Sequence, residues 1–354
     1  MFAHLHPFLP PEWAPQSAIL LAWPHPDSDW GPLLSEVETV FTTIAAAICR
    51  HERLLIAVHN EQVSTRVTHC LNQAGVAEER YTLFHAPYND TWMRDTGPIT
   101  VIEDGWPVLL NFRFNGWGGK FNAELDDALT LALHTAGAFG STPSCQFPLV
   151  LEGGSIEVDG AGGLLTTSSC LLAPTRNPEM DRSEVEAALR SYFGVERIHW
   201  LHHGGLAGDD TDGHIDTLAR FCSPHLIAYQ ACTDPDDEHF GPLRAMAEEL
   251  ATLRQTNEEP YHLAPLPWPR PHYAPDGHRL PATYANFLIL NDAVLVPTYD
   301  DPADVQALNT LQHCFPDRQI VGIPCSPLLL QHGSLHCVTM QLPSLVIIPN
   351  FLRG

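Results

Sequence analysis

The chain is short of positive charge. It carries 18 lysines and arginines against 42 acidic residues, a net charge of −24 over 354 residues. Nucleic acids and anionic membranes are recognised through basic patches, so both are poor partners for this chain. An acidic surface suits a cationic small molecule, although solubility alone would produce the same balance. No CxxC occurs among its nine cysteines, at 49, 70, 145, 170, 222, 232, 314, 325 and 337. Their odd number and irregular spacing exclude a disulfide framework or a zinc ribbon and point to a reducing, cytoplasmic setting. Neither GxGxxG nor GxxxxGK[ST] follows a strand-like segment, which removes the usual phosphate loops. Met1 to Pro7 lacks the basic and apolar regions of a secretion signal, and no apolar run suggests a membrane span.

What is present is a sizeable core: 44% of residues are hydrophobic and 17% charged. Short apolar segments alternate with polar, turn-forming loops and helix-periodic stretches. Such strands are expected at 17–23, 54–58, 108–112, 163–167, 226–229 and 293–297. Helices are expected at 33–50, to about 71, 123–133, 182–193, 238–253 and 303–314. Five or six cycles of one α/β unit suggest a doubly wound sheet or a ring of repeated modules. Pro265 to Pro281 reads as a long loop without a change in composition, so one domain spanning 1–354 is expected.

Four stretches carry chemistry. Asp209-Asp210-Thr211-Asp212-Gly213-His214-Ile215-Asp216 sets an imidazole among carboxylates. If 214–221 is a strand, alternation puts His214 and Asp216 on one face. Asp90-Thr91-Trp92-Met93-Arg94-Asp95 sits in a connection and offers carboxylates and an aromatic face. These suit a planar cation through forked hydrogen bonds and cation–π attraction. A structural Asp–Arg94 pair with Trp92 in the core is the simpler alternative. Gln331-His332-Gly333-Ser334-Leu335-His336-Cys337 supplies a thiol, flanked by histidines that could lower its pKa. Cys325 is its nearest rival. Glu152, before Gly153-Gly154, could orient His214 as the third member of a triad does.

Other chemistries use the same residues. Asp209, Asp210, Asp212, His214 and Asp216, with His202 and His203, could hold a divalent metal, although their spacing fits neither the calcium loop nor HExxH. A non-catalytic polyamine binder would need the carboxylates and aromatics but no thiol.

Taken in order, these motifs resemble the agmatine deiminase family of guanidine-modifying enzymes, related to bacterial-type peptidylarginine deiminases. The resemblance also takes in Trp23-Pro24, Phe114 to Lys120, Tyr284-Ala285-Asn286-Phe287 and Gly333 to Thr339, and covers nearly the whole chain. It implies a five-bladed α/β propeller of ββαβ units, the pentein-type fold, around a central active site. It implies Cys337 as nucleophile, His214 as acid and then base, Asp95 and Asp216 on the guanidinium nitrogens, and Glu152 behind His214. Asp90, Trp92, Trp117 and Asn286 would contact substrate. No metal or other cofactor is implied. The implied reaction converts agmatine to N-carbamoylputrescine and ammonia, with free arginine and peptidylarginine as rival substrates. No arginine or lysine stands out as a partner for the α-carboxylate of free arginine, although Arg94, Arg113 and Lys120 are present. One departure stands at Gln331 to His336, where many family members carry Gly-Gly-Gly-Asn before Ile-His-Cys. A homodimer is the default assembly for a soluble enzyme.

Overall fold

A computed structural model describes residues 7–349; most of the amino-terminal stretch read above for a signal, Met1 to His6, lies outside them. Strands β1 (Gln16–Ala22), β2 (Arg53–Val58) and β3 (Tyr81–His85) are joined by helices α1 (Leu34–His51) and α2 (Glu61–Gln73). Then follow β4 (Ile99–Glu103), β5 (Trp106–Arg113), α3 (Glu124–Thr135) and β6 (Ser144–Val150). The same order returns in β7 (Ile156–Val158), β8 (Gly163–Thr167), α4 (Arg182–Phe193) and β9 (Arg197–Leu201). It returns again in β10 (Ala219–Ser223), β11 (Leu226–Gln230), α5 (Phe240–Thr252) and β12 (His262–Leu266). A small hairpin, β13 (His272–Tyr273) with β14 (Arg279–Leu280), occupies the proline-rich stretch expected to be loop. The last strands are β15 (Leu288–Ile289), β16 (Ala293–Thr298), β17 (Gln319–Pro324) and β18 (Thr339–Pro343), with α6 (Asp304–Cys314) between β16 and β17.

Pairing shows one unit made five times. An antiparallel pair is followed by a helix and by a strand parallel to the second: β4-β5-β6, β7-β8-β9, β10-β11-β12 and β15-β16-β17. The fifth is assembled from both ends of the chain, because β18 runs antiparallel to β1 and β1 parallel to β2, with β3 added outside. This closure fixes the count at five and gives the mixed α/β architecture expected above. It also brings the segment before β18 to the same end of its sheet as the segments that precede β4, β7, β10 and β15.

The sequence explains the units. Leu54 to Val58 is apolar throughout because β2 is paired on both edges and fully enclosed, as the inner strands of parallel sheets are. In α1, Val37, Phe41, Ile44 and Ile48 repeat at three- and four-residue spacing and are wholly buried. Gly31–His51 is long and apolar enough to cross a bilayer by length and composition, with a mean hydropathy of 1.3, contrary to the expectation of no such run. Its apolar stripe is taken up by the core cluster that also holds Leu54, Ile56 and Val67. Helix α4 begins on a capping box, Asp181 with Glu184, and ends at Gly194 in the left-handed region (φ 67°).

One expected strand is not there. Residues 215–217 form a 3-10 turn and β10 begins only at Ala219. Asp212 and Gly213 have positive φ (67° and 88°), Thr211 Oγ1 accepts from the His214 amide, and Thr217 Oγ1 donates to the His214 carbonyl. Local side-chain hydrogen bonds of this kind compete with the ladder. His214 and Asp216 are therefore brought together by a turn, not by strand alternation.

Candidate active site

The acids, the imidazole, the amide and the thiol each lie just ahead of the first strand of a unit: Asp95 before β4, Glu152 before β7, His214 and Asp216 before β10, Asn286 before β15, and Cys337 before β18; Trp117 instead follows β5. Repetition of the unit is what delivers them to one place.

The convergence is tightest at Gly154. A Cβ there would stand 2.6 Å from His214 Nδ1, 3.0 Å from Asp95 Oδ1 and 3.2 Å from Asp216 Oδ2. Only glycine lets the backbone pass so close to all three. His214 Nδ1 is 3.6 Å from Asp95 Oδ1, which also accepts from the Gly154 amide at 3.0 Å. The other Asp95 oxygen accepts from Trp117 Nε1 at 2.9 Å. Cys337 Sγ lies 3.9 Å from Asp216 Oδ2 and 3.4 Å from Asn286 Oδ1. Asp216 Oδ1 and His214 Nε2 are buried without a hydrogen-bond partner.

Trp117 is held under strain. It sits at φ 53° in a run of positive φ that includes Gly116, Gly118 and Gly119. A bulky residue there costs on the order of 1–3 kcal/mol. The glycines are needed: a Cβ at 116 would fall 2.3 Å from the Phe121 carbonyl oxygen, and one at 118 would fall 2.4 Å from Thr175 Oγ1. Gly333 makes room in the same way for the Trp92 ring, 2.1 Å from its would-be Cβ.

Burial would lower the His214 pKa, but the Asp95 carboxylate, then Cys170 and Glu152, raise it well above 6.5. Cys337 moves well above 9, first through burial and then through the charges of Asp216 and Asp95. This reverses the expectation that neighbouring histidines lower it. The His336 ring turns away, with Nδ1 2.7 Å from Asp216 Oδ2 and Nε2 2.7 Å from Glu12 Oε2. His332 Nδ1 bonds the Gly208 carbonyl. Asp95 is raised, by burial first. Asp216 is lowered: burial opposes this, but the His336 hydrogen bond and charge outweigh it.

A cavity of about 250 Å³ opens over Cys337 and Asp95, walled by Trp92, Trp117 and Phe121. Asp29, Asp90 and Asp210 also line it, with His332. Burial raises Asp90 to about 6, and the charge of Asp29 adds to the effect. Burial likewise raises Asp210 to about 6, with Asp209 adding to it. No arginine or lysine lines this cavity among the described residues.

Several candidates sit elsewhere than expected. Glu152 lies beside His214 and Cys170, within 4.8 Å, but both of its oxygens accept from Arg176 Nε. Asp95 is the carboxylate that faces His214 Nδ1. Asn286 does not line the cavity; its side chain ties Asp216 to the His336 and Cys337 amides. Arg94 is buried behind the site on Gln341 and Glu12, and Arg113 lines a groove on another face. Lys120, the one lysine in the chain, bonds the Asp210 carbonyl and Asp212. Cys325 is enclosed in the core.

The acidic run around His214 does not gather as metal ligands. Asp209 caps Thr211 and Gly213, and Asp212 takes Arg176 and Lys120. His202 and His203 turn to Ser168 and Glu249. Sequence reasoning missed Arg176, Glu12 and Arg220, because a lone arginine or glutamate carries no spacing signal.

A five-unit ring that gathers a thiol, an imidazole and paired carboxylates at one point, with Cys337 and Asp95 lining a cavity there, defines a pentein-type enzyme, a hydrolase acting on guanidine C–N bonds. The family described as Porphyromonas-type peptidyl-arginine deiminase matches over residues 8–343. An agmatine deiminase of Stutzerimonas stutzeri is 32% identical, covering 95% of both chains. A C. jejuni agmatine deiminase carrying a cysteine-to-serine replacement, solved with substrate bound, superposes with a TM-score of 0.88 at 35% identity, covering 97% of this chain and 98% of that one. A Porphyromonas gingivalis structure, described provisionally as an arginine deiminase, superposes at 0.90 with 49% identity over 96% and 99%. The chain belongs to the Porphyromonas-type peptidyl-arginine deiminase family.

Proposed function

We propose that the protein hydrolyses agmatine to N-carbamoylputrescine and ammonia through a covalent intermediate on Cys337. One observation carries the choice of substrate. The cavity is lined by Cys337 and Asp95, by Trp92 and Trp117, and by Asp29, Asp90 and Asp210, with no arginine or lysine among the described residues of its wall. Agmatine has a guanidinium at one end and an ammonium at the other, and a wall with four carboxylates, Asp29, Asp90, Asp95 and Asp210, complements both charges. Free arginine would place its α-carboxylate among like charges. Peptidylarginine would leave the remaining carboxylates without a cation to meet.

In this reading Asp95 and the open oxygen of Asp216 accept from the guanidinium nitrogens and place its carbon beside Cys337 Sγ. The arriving cation offsets the two carboxylate charges that hold the thiol protonated, so the thiolate forms with substrate bound and its proton leaves to solvent. Sulfur adds to the guanidinium carbon. The His214 imidazolium, kept charged by Asp95, gives its proton to the departing nitrogen, which leaves as ammonia. An S-alkylthiouronium remains. Neutral His214 then takes a proton from water as its oxygen attacks that carbon, and collapse releases the urea product and the thiol. Glu152, pinned by Arg176, contributes negative charge behind His214. Trp117 fixes Asp95, and Trp92 offers its ring face to the substrate chain. The partner is thus a dicationic small molecule met in the cytoplasm.

The test is ammonia release from agmatine, free arginine and a peptidylarginine under identical conditions. Turnover of agmatine at least tenfold above both others supports the reading. Preference for either arginine form would transfer the same chemistry to that substrate.

A further inference from the structure

Behind the site lies a second buried cluster that the proposed chemistry does not use. Glu12, on the segment before β1, accepts from Arg220 Nη2 at 2.7 Å, from His336 Nε2 at 2.7 Å and from the Ile289 amide at 2.7 Å. Arg220 also contacts Glu157, donates to the Phe287 carbonyl, and lies 4.8 Å over the Phe287 ring. Arg94 Nη2 lies 3.9 Å from Glu12. His336 joins this cluster to the site, because its other nitrogen meets Asp216 Oδ2 at 2.7 Å. The ring is 2% exposed, and each of its nitrogens faces a carboxylate oxygen. Carboxylates only accept, so both nitrogens must donate, and only the doubly protonated ring can do this.

We propose that His336, clamped as an imidazolium between Glu12 and Asp216, is a positioning residue that keeps the Asp216 carboxylate ionised and turned so that its free oxygen meets the substrate guanidinium. Asp216 is wholly buried, and burial alone would favour its neutral form. It faces His336, His214, Arg220 and Arg94 on the positive side, and Asp95 and Cys337 on the other. Of the cations, only His336 bonds it directly. Oδ2 is held by His336 and the Asn286 amide, which leaves Oδ1 as the oxygen without a partner. Glu12 matters at one remove, since it accepts from the far nitrogen and so holds the ring in place. This role rests on Cys337 being the nucleophile of a guanidine deiminase.

The experiment measures agmatine binding by calorimetry from pH 5.5 to 9 on the Cys337→Ser protein, alone and with His336→Gln or Glu12→Gln. Glutamine keeps a donor but not the charge. With His336→Gln, Asp216 should ionise only at higher pH. Binding should then weaken at least tenfold near pH 6 and recover by pH 9. Glu12→Gln should move the profile in the same direction by less, and it carries the test if His336→Gln does not fold. Weakening that is equal at every pH, or absent, in the variant that folds would overturn the role while leaving the deiminase reading intact. Failure of the Cys337→Ser protein to bind agmatine at any pH, with a wild type inert toward it, would overturn both.

Discussion

Two buried charged regions meet at Asp216, and they are built on opposite rules. Behind it, Glu12, Glu157 and Asp216 face Arg94, Arg220 and His336, three acids against three cations; Arg220 and His336 bond these acids directly, and Arg94 stands 3.9 Å from Glu12. In front, Asp95 and the cavity acids Asp29, Asp90 and Asp210 meet fewer cations among the described residues: His214 faces Asp95, and His332 and Lys120 act on Asp210. The rear cluster is matched internally, so its charges serve to hold β10, β15 and the segments before β1 and β18 together. The front is left short of positive charge, and a ligand must complete it. Burying a carboxylate without a partner is unfavourable, and the raised positions of Asp95, Asp90 and Asp210 record that. A cation entering the cavity relieves the penalty. Selectivity for a cationic substrate follows from the same imbalance.

Substitutions on either side probe the contrast. The largest effect is expected at the rear: Arg220→Met leaves Glu12 and Glu157 buried without their shared partner, which costs about 3–5 kcal/mol. Thermal unfolding should show a large fall in Tm; an unchanged Tm would mean that the cluster does not hold the ring. At the front, Asp95→Asn keeps an acceptor for Trp117 but removes the charge facing His214. Loss of one charge-assisted interaction is worth about 1.5–3 kcal/mol, so kcat/KM should fall by roughly ten- to a hundredfold while Tm holds or rises. A variant that loses stability and keeps its rate would reverse the assignment of the two regions.

Titration and salt should act more weakly. Asp90 and Asp210 gain protons as pH falls through about 6, so the cavity then loses negative charge. KM for agmatine should rise below that pH, and Asp90→Asn should flatten the rise; a flat KM from pH 5 to 8 would remove these acids from recognition. Smallest is the response to salt. Asp29, Asp90 and Asp210 are the more accessible acids, so raising ionic strength should increase KM severalfold at most and leave kcat unchanged. An equal fall in kcat would place the salt-sensitive charges at the chemistry instead.

The motifs are legible because function concentrates unusual residues at short spacing. Asp95, His214, Asp216 and Cys337 each stand in a turn-rich stretch that neither core nor surface requires. The helix 182–193 matches its expected bounds because its start and stop signals are strong: Asp181 caps it and Gly194 ends it. Five units cannot be told from six in the sequence because β1 pairs with β18, and no local pattern reports a contact between chain ends. A strand over 214–221 is wrong for a related reason: Thr211 and Thr217 bond the His214 backbone, and the resulting turn overrides an alternating sequence. Glu12 lies far along the chain from Asp216 and His336, and its role is visible only once β1 and β18 are paired. The orientation of His336 is equally hidden. Adjacent to the thiol in sequence, its ring serves the carboxylates instead.

Cys337 is assigned the chemistry, in a cavity whose charge suits a dication. Ammonia release from agmatine in EDTA, with wild type beside Cys337→Ser, decides that assignment. The wild type should release ammonia at a rate that EDTA spares, and a folded Cys337→Ser protein that still binds agmatine should release none. Undiminished release by Cys337→Ser would rule out covalent catalysis at this thiol.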